Sequence, residues 1–349
     1  MSRPQRPSPP KPDRRWAGVL LALLLGACGS PAPQPAKPAV KQVGPVLAQD
    51  RDFVLMQAQQ GDELGALAER YYGDARRGWQ IAEFNQLSRL QPGQVIAIPL
   101  RPRNAIGVYA DGYQTVPVLC YHRFGNTRGK LVVSPAAFEG QMAFLARNGY
   151  QVITMAQLQG FLQGSEGVPR KAVVLTIDDG YRSTYEIAYP ILKKYGFPAT
   201  VYLYSDFVGA ADALSWSQMQ EMQASGVIDI EPHSKTHGNL ATRQPRESDS
   251  QYKERLRTEV DTPITVIRNR LAVSPQTYAF PYGDTNELVS DLLSRQNIRL
   301  GFTVTPGGNG FFGYRFMLRR TMVFGEDDIN DFKAKLAIFT PYNGRRGAE

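Results

Sequence analysis

The feature that most limits the fold of this chain is an alternation of short apolar runs with amphipathic stretches over residues 116–304. The apolar runs lie at 116–122, 172–180, 199–204, 227–233, 277–283 and 298–304, and the amphipathic stretches lie at 135–148, 183–195, 215–225, 252–271 and 284–295. Buried strands that alternate with helices are typical of an α/β fold with a parallel sheet. The pattern therefore predicts one α/β domain over residues 113–340, with enough units to close a barrel.

Polar side chains follow four of the apolar runs. His122 ends the first run, Asp178 and Asp179 the second, His233 the fourth and residues 281–282 the fifth. In parallel α/β folds the carboxyl ends of the strands form one rim, where active sites are assembled. We therefore expect these side chains to converge in the folded chain.

The histidines and the acidic pair indicate a metal site. All three histidines follow strand ends, and His233 and His237 are separated by one turn of chain. Adjacent carboxylates at the end of a buried strand are costly unless a positive charge lies near them, and a metal ion supplies that charge. Two imidazoles and one carboxylate also leave the open position that a catalytic zinc needs. The structural alternatives are a polar histidine loop and a helix N-cap formed by Asp-Asp-Gly.

Residues 176–180, 233–237 and 280–283 resemble the motifs of the polysaccharide deacetylase (NodB-homology) family, carbohydrate esterase family four, and occur in that family's order. The resemblance covers most of 113–325 and implies a distorted (β/α) barrel. It implies that Asp178 is the general base and that Asp179, His233 and His237 bind a divalent metal, zinc first, with cobalt, nickel and iron as alternatives. Residues 117–122 look more like the poly-N-acetylglucosamine deacetylase branch than the peptidoglycan or chitin branch.

The sequence departs from the family pattern at two positions. Ala279 stands where the family usually has an arginine, and no histidine follows His237 to supply the general acid. We therefore assign the general acid to His122, and we expect Arg319 or Arg320 to orient the general base.

The resemblance also implies the remaining contacts with substrate. The backbone N–H of Tyr282 is the candidate donor to the oxyanion, because Pro281 has no N–H. We expect Pro281, Tyr121 and Trp216 to line the substrate site, with core packing as the alternative for the two aromatic residues.

Residues 52–100 have a different pattern. A strand-like run at 53–56 precedes a helix with Asp62 as its N-cap, a second helix carries Trp79 and ends at Asn85, and a turn at 90–94 leads to a strand at 95–99. This βααβ order, with residues 61–64, 72–73 and 90–99, resembles the LysM domain. The resemblance implies binding to N-acetylglucosamine chains such as peptidoglycan, and a spacer whose groove has decayed is the alternative.

The N-terminus is typical of an export signal. Residues 1–15 are basic and 16–27 are apolar, a run too short to span a membrane. Because 25–28 resembles the bacterial lipobox, we expect 1–27 to be a lipoprotein signal peptide and Cys28 to carry lipid, with a plain secretory signal as the alternative. The Pro/Ala-rich residues 28–51 are expected to be a linker. The protein is then a membrane-anchored lipoprotein of the cell envelope, on the periplasmic face.

The charge of the chain does not favour nucleic-acid binding. Half of the net charge of +8 lies in the first 27 residues, and the other basic residues are scattered rather than gathered in a stripe. The sequence therefore predicts an exported, metal-dependent deacetylase of an N-acetylglucosamine-containing polysaccharide. A non-catalytic peptidoglycan-binding lipoprotein and a hydrolase of another amide bond are the alternative functions.

Overall fold

A computed structural model describes residues 44–101 and 104–342. The predicted signal peptide, the predicted lipidation site Cys28 and the linker as far as residue 43 lie outside the described residues. No helix within the described ranges combines the length and the apolar character that crossing a membrane requires.

Residues 44–101 form a small module with the predicted order of strand, two helices and strand. Its elements are β1 (Val46–Gln49), β2 (Phe53–Gln57), α1 (Leu64–Tyr72), α2 (Gly78–Phe84) and β3 (Val95–Pro99). Strand β2 lies between β1 and β3 in an antiparallel sheet. The helices cover one face of this sheet, where Met56, Leu67 and Ile81 are fully buried. Asn85 ties the end of α2 to β3, because its side chain bonds to both the N–H and the carbonyl of Ala97.

Two local predictions for this module are wrong. Strand β1 lies in the predicted linker, and hydrophobic patterning did not reveal it because all four of its residues are exposed. Asp62 is not the N-cap of α1, since Glu63 holds that position without a side-chain cap. The Asp62 carboxylate instead accepts hydrogen bonds from the N–H groups of Gln59, at 2.7 Å, and Gly44, at 3.3 Å.

The strands and helices of the second domain follow in chain order. Its strands are β4 (Val108–Tyr109), β5 (Gly112–Gln114), β6 (Val116–Tyr121), β7 (Arg123–Phe124), β8 (Val132–Val133), β9 (Gln151–Val152), β10 (Ala172–Ile177), β11 (Ala199–Leu203), β12 (Ile228–Pro232), β13 (Thr277–Ala279), β14 (Leu300–Phe302), β15 (Gly308–Asn309), β16 (Thr321–Met322) and β17 (Phe339–Pro341). Its helices are α3 (Pro135–Arg147), α4 (Met155–Leu162), α5 (Tyr189–Tyr195), α6 (Trp216–Ala224), α7 (Asp249–Leu271), α8 (Glu287–Arg295) and α9 (Ile329–Ala334). The six predicted strands and five predicted helices are all present.

The core of this domain is a parallel sheet in the order β12-β11-β10-β6. Strand β16 extends the sheet in parallel beyond β6, and β15 pairs with β6 in the antiparallel sense. Every residue of β6, β10 and β11 is buried, as expected for parallel strands that other elements cover on both faces. The predicted mixed α/β fold with a parallel sheet is therefore confirmed.

Strands β13 and β14 form a separate parallel pair beside β12. Among the described residues, no backbone hydrogen bonds join β12 to β13. The Glu231 carboxylate spans this gap, which we call the β12–β13 seam, and accepts the N–H groups of Gln276 and Thr277 at 3.0 Å each. Burial raises the pKa of Glu231 to about 8. A buried side chain thus takes the place of strand pairing at the seam.

Candidate metal centre and active site

The predicted rim is built by backbone hydrogen bonds that continue the sheet beyond the last residue of each strand. The N–H of Asp178 donates to the carbonyl of Tyr121, and the N–H of His233 donates to that of Leu203, both at 2.8 Å. These bonds place the first polar residue after β10 and after β12 at the same edge of the sheet. Asp179, His233 and His237 are brought together there, with one ligand atom of each within 4.8 Å of the others.

The geometry of this triad fits a bound cation. Asp179 Oδ1 lies 3.3 Å from His237 Nε2 and 3.8 Å from His233 Nε2. This oxygen is enclosed, yet it has no hydrogen-bond partner within the described part of the chain. A buried carboxylate oxygen without a donor is costly, and a metal ion would satisfy it.

The two histidines are held in defined orientations. His233 Nδ1 lies 2.8 Å from the carbonyl oxygen of Ala279, which directs Nε2 towards Asp179. A hydrogen bond to the second ring nitrogen is the usual way of orienting a metal-binding histidine. Burial lowers the pKa of His233 and favours the neutral imidazole that binds metal. The N–H of His237 donates to Ser234 Oγ at 2.9 Å, which fixes the turn between the two histidines.

Four site residues have a left-handed backbone although none is glycine. The φ angles are 73° at Asp179, 79° at Ser234, 62° at His237 and 62° at Tyr282. Positive φ is unfavourable for residues with a Cβ and persists where the surrounding structure enforces it. The fold therefore imposes a conformational cost at each of these positions.

Asp178 forms a buried ion pair with Arg320. The guanidinium binds both carboxylate oxygens, with Nη1 at 2.6 Å and Nη2 at 2.8 Å, and Arg320 is fully buried. Burial alone would raise the pKa of Asp178, but the positive charge of Arg320 and its hydrogen bonds to the carboxylate hold that pKa below its usual range. The carboxylate is therefore ionised at neutral pH.

Of the two arginines predicted as candidates to orient Asp178, Arg320 is the one that contacts it. The Arg319 side chain instead donates to the carbonyl of Pro306 at 2.9 Å. Arg319 and Arg320 are adjacent in the stretch that leads into β16, where neighbouring side chains point in opposite directions, so only one of the two faces Asp178. The arginine missing at Ala279 is thus replaced from a distant part of the chain.

A second cluster, Cys120, His122 and Asp178, also has ligand atoms within 4.8 Å of one another. It is a poorer cation site, because Arg320 already binds both oxygens of Asp178 with a full positive charge. Cys120 is fully buried and unpaired, and its Sγ lies 3.4 Å from Asp178 Oδ2. The cluster places His122 beside Asp178, and His122 Nδ1 is buried without a hydrogen-bond partner among the described residues.

The turn after β13 places Tyr282 over the triad of Asp179, His233 and His237. Pro281 is buried, whereas Tyr282 is 62% exposed and its ring stands edge-on to His237 at 4.9 Å. Within residues 44–101 and 104–342, no acceptor is found for the Tyr282 N–H. This N–H group is therefore free to bind an oxyanion.

The structure contradicts one predicted substrate contact, Tyr121, and places another, Trp216, against the core. Tyr121 has no exposed surface, because it packs against Phe124 and Phe138 and donates to Gln141 Oε1 at 2.9 Å. Trp216 packs against the core beneath α6, and the Arg270 guanidinium covers its ring at 5.9 Å. Both residues have the core-packing role that was the alternative.

The aromatic side chains beside the triad come from other loops. Tyr204 lies 5.3 Å from the ring of His237, and Phe207 links Tyr204 to Tyr181 through ring contacts of 5.1 and 5.3 Å. Arg123 lies over the Tyr181 ring at 5.0 Å and pairs with Asp212. Tyr181 follows β10 and Tyr204 follows β11, and both strands end at the predicted rim. This position could have identified the two tyrosines as site residues from the sequence.

Comparisons with known proteins agree with this geometry. Residues 165–301 match the family model described as polysaccharide deacetylase. The Bacillus subtilis (strain 168) protein YxkH is 30% identical over 192 residues, which are 55% of this chain and 65% of YxkH. The poly-β-1,6-N-acetyl-D-glucosamine N-deacetylase of Escherichia coli (strain K12) is 28% identical over 209 residues, which are 50% of this chain and 31% of that protein. The chain thus spans less than two thirds of either relative.

Solved structures share the fold. A Streptococcus pyogenes deacetylase, PplD, solved in complex with acetate, superimposes with a TM-score of 0.58 at 24% identity, covering 64% of this chain and 99% of that one. IcaB from Ammonifex degensii superimposes with a TM-score of 0.57 at 24% identity, covering 65% of this chain and 96% of that one. Residues 165–301 therefore match the polysaccharide deacetylase family model, and the chain shares the fold of these solved structures.

Proposed function

We propose that this protein is a metal-dependent N-deacetylase that removes acetyl groups from an N-acetylglucosamine-containing polysaccharide of the cell envelope. The observation that carries the proposal is the triad of Asp179, His233 and His237 beside an ionised Asp178. In this arrangement the Asp179 carboxylate is available to bind a cation, and Arg320 keeps the neighbouring Asp178 carboxylate ionised. The names of the poly-N-acetylglucosamine deacetylase relatives support the same chemistry.

The metal would be held by Asp179, His233 and His237. Zinc is the first choice, because a mixed set of two imidazoles and one carboxylate suits it, and cobalt, nickel and iron are alternatives. When bound, such an ion acts as a Lewis acid towards the acetyl carbonyl and lowers the pKa of water.

The protein's own groups would move the protons and stabilise the developing charge. Asp178 accepts the proton of the attacking water, since a carboxylate that is already paired with Arg320 still has free lone pairs. The Tyr282 N–H donates a hydrogen bond to the oxyanion. His122 donates a proton to the departing sugar amine. Pro281 shapes the turn that presents Tyr282 to the substrate.

Poly-β-1,6-N-acetylglucosamine is the substrate that we favour, with peptidoglycan as the second candidate. The names of the Escherichia coli and Staphylococcus aureus relatives support the first polymer. The small module at 44–101, which resembles LysM, supports a protein that is held near N-acetylglucosamine chains. The lipobox-like residues 25–28 support export and attachment to the membrane through Cys28.

Acetate release tests the proposed activity. The full-length protein, loaded with Zn²⁺, is expected to release acetate from poly-N-acetylglucosamine oligomers. His237→Ala is expected to lose both stoichiometric metal and activity, whereas Asp178→Asn keeps the metal but loses activity. Glu254→Ala, on the exposed face of α7, serves as the control. Acetate release only from peptidoglycan would show that peptidoglycan is the substrate instead. Release from neither polymer would disprove the proposed function.

The assignment of the general acid has its own test. His122→Ala is expected to keep the metal, because the triad is complete without it, and to lose roughly 10²- to 10⁴-fold in turnover, the usual range for one proton-transfer group. Turnover close to that of the wild type, or loss of metal, would show that another group supplies the proton.

A further inference from the structure

The loop that carries the two histidines is held from behind by a buried carboxylate on α7. Glu259 is only 5% exposed, and its Oε2 accepts the backbone N–H groups of Lys235, at 3.0 Å, and Thr236, at 2.9 Å. Its Oε1 accepts the hydroxyl of Thr236 at 2.6 Å. All three residues lie outside the triad, so the mechanism proposed above does not use them.

These three bonds reach the part of the loop that most needs support. Lys235 and Thr236 lie between Ser234 and His237, whose φ angles are 79° and 62°. Such angles are unfavourable for residues with a Cβ, so the surrounding structure has to stabilise them. Two successive N–H groups that point at one oxygen fix the peptide planes on both sides of Lys235. A hydrogen bond to a charged acceptor is also about twice as strong as a neutral one.

The loop is held on its opposite edge by the turn that follows β11. The N–H groups of Ser205 and Asp206 donate to the carbonyl oxygens of Ser234 and Lys235, at 3.1 and 3.0 Å. Those bonds use the carbonyl groups of the loop and leave the N–H groups of Lys235 and Thr236 unsatisfied. Glu259 satisfies both, so that the turn after β11 fixes one side of the loop and α7 the other.

We propose that Glu259 is a positioning residue, which holds the loop 233–237 so that His237 meets Asp179 and His233 at the metal site. This inference rests on the proposed function, because it assigns Glu259 a purpose in metal binding. Glu259 touches neither the metal ligands nor the substrate site directly. Its effect passes through the backbone of Lys235 and Thr236.

The experiment compares Glu259→Ala with Glu259→Gln in the full-length protein. In the Gln variant the amide oxygen can replace Oε2 and accept both N–H groups, while its NH₂ group donates to the Thr236 hydroxyl, so all three bonds can persist. Glu259→Ala is expected to weaken Zn²⁺ binding by about tenfold to a hundredfold, the usual effect of removing a group that supports a metal ligand. Glu259→Gln is expected to bind Zn²⁺ with an affinity within about threefold of the wild-type affinity.

Two further readouts separate positioning from a general loss of stability. Leu256→Ala removes a fully buried side chain of the same helix one turn earlier, and it is expected to lower the melting temperature without changing Zn²⁺ affinity. The visible absorption spectrum of the Co²⁺-loaded protein is expected to change in Glu259→Ala but not in Leu256→Ala. Equal loss of Zn²⁺ affinity in both variants, or wild-type affinity in Glu259→Ala, would overturn the proposal.

Amide hydrogen exchange in the metal-free protein keeps this inference separate from the proposed function. The N–H groups of Lys235 and Thr236 are expected to exchange about tenfold or more faster in Glu259→Ala, because a hydrogen bond to a charged acceptor protects each of them in the wild type. If wild-type protein binds no Zn²⁺, the proposed function fails, and these exchange rates alone decide whether Glu259 holds the loop. Unchanged exchange would overturn that role.

Discussion

The pairing of Asp178 with Arg320 joins two residues that are 142 positions apart. Both groups are buried, and each satisfies the charge of the other through two hydrogen bonds. Arg320 also donates to the carbonyl of Thr303 at 3.0 Å, which fixes its guanidinium plane independently of Asp178. The carboxylate is therefore oriented by a group that is itself held rigidly.

Removing Arg320 should destabilise the protein strongly. Arg320→Met leaves the Asp178 carboxylate buried without its partner, and loss of one member of a buried pair costs about 3–5 kcal/mol. We expect the free energy of unfolding, measured in urea at pH 7, to fall by that amount. Because Arg320 holds the pKa of Asp178 below its usual range, the difference should persist at neutral pH and shrink as the pH falls below about 4.

Two variants control this prediction. Arg319→Met removes a partly exposed arginine whose bond is to a backbone carbonyl, and it should cost less than about 1 kcal/mol. Arg320→Met combined with Asp178→Asn should recover part of the stability, since the buried charge is gone. Equal destabilisation by the two arginine variants would contradict the importance of the pair.

At the scale of elements, the β12–β13 seam is the place where backbone pairing between parallel strands is interrupted. A single carboxylate there replaces the regular pairing that joins β12 to β11. Because β13 also carries Ala279, whose carbonyl orients His233, the seam lies directly behind the candidate metal site.

The raised pKa of Glu231 predicts a pH-dependent stability. Burial disfavours its charged form, so the folded state loses stability as the pH rises from about 4.5, the ordinary value, towards about 8. Glu231→Gln keeps an acceptor for the two N–H groups without the charge. We expect equal stability of variant and wild type near pH 4, and a variant that is more stable by at least about 1.4 kcal/mol at pH 8.

Thermal unfolding of the metal-free proteins at both pH values measures this difference. Glu254→Gln, which changes an exposed carboxylate on α7, provides the matched control and should show no such trend. A stability difference that is the same at both pH values would mean that folding does not change the pKa of Glu231, and it would contradict the prediction.

Elements with a hydrophobic pattern were predictable, and those held by long-range polar contacts were not. The strand ends after β10 and β12 placed Asp178, Asp179 and His233 at one rim because parallel strands share a direction. Glu231 and Glu259 gave no such signal, since their partners are backbone groups 46 and 24 positions away. Tyr121 was misjudged because a strand end that is covered on both faces also buries its last aromatic ring.

At the scale of the whole molecule, the small module packs against the larger α/β domain. The N–H of Arg170 donates to the Glu83 carboxylate at 3.0 Å, and Arg77 lies 3.8 Å from Glu166. Both contacts join α2, or the turn before it, to the loop that leads into β10. A chain held at its N-terminus would therefore hold both domains near the same surface.

Attachment through Cys28 is a prediction about the whole protein. Cys28→Ala is expected to accumulate with its signal peptide uncleaved or to be washed from membranes, because no acyl chain can then be added. Cys120→Ala is the matched control, since that thiol is buried and should not affect fractionation. If Cys28→Ala remains with the membranes and migrates on a gel as the wild-type protein does, lipid attachment at Cys28 is contradicted.

The left-handed backbone at Asp179, Ser234, His237 and Tyr282 has a consequence for any attempt to make the protein more heat-resistant. Screening for melting temperature alone would favour glycine at these positions, since glycine adopts positive φ without strain. Each such exchange would remove a candidate metal ligand, the hydroxyl that fixes the histidine turn or the ring above it. Thermostability and turnover are therefore in conflict at these four residues, and a stabilised version of the protein should be sought elsewhere in the sequence.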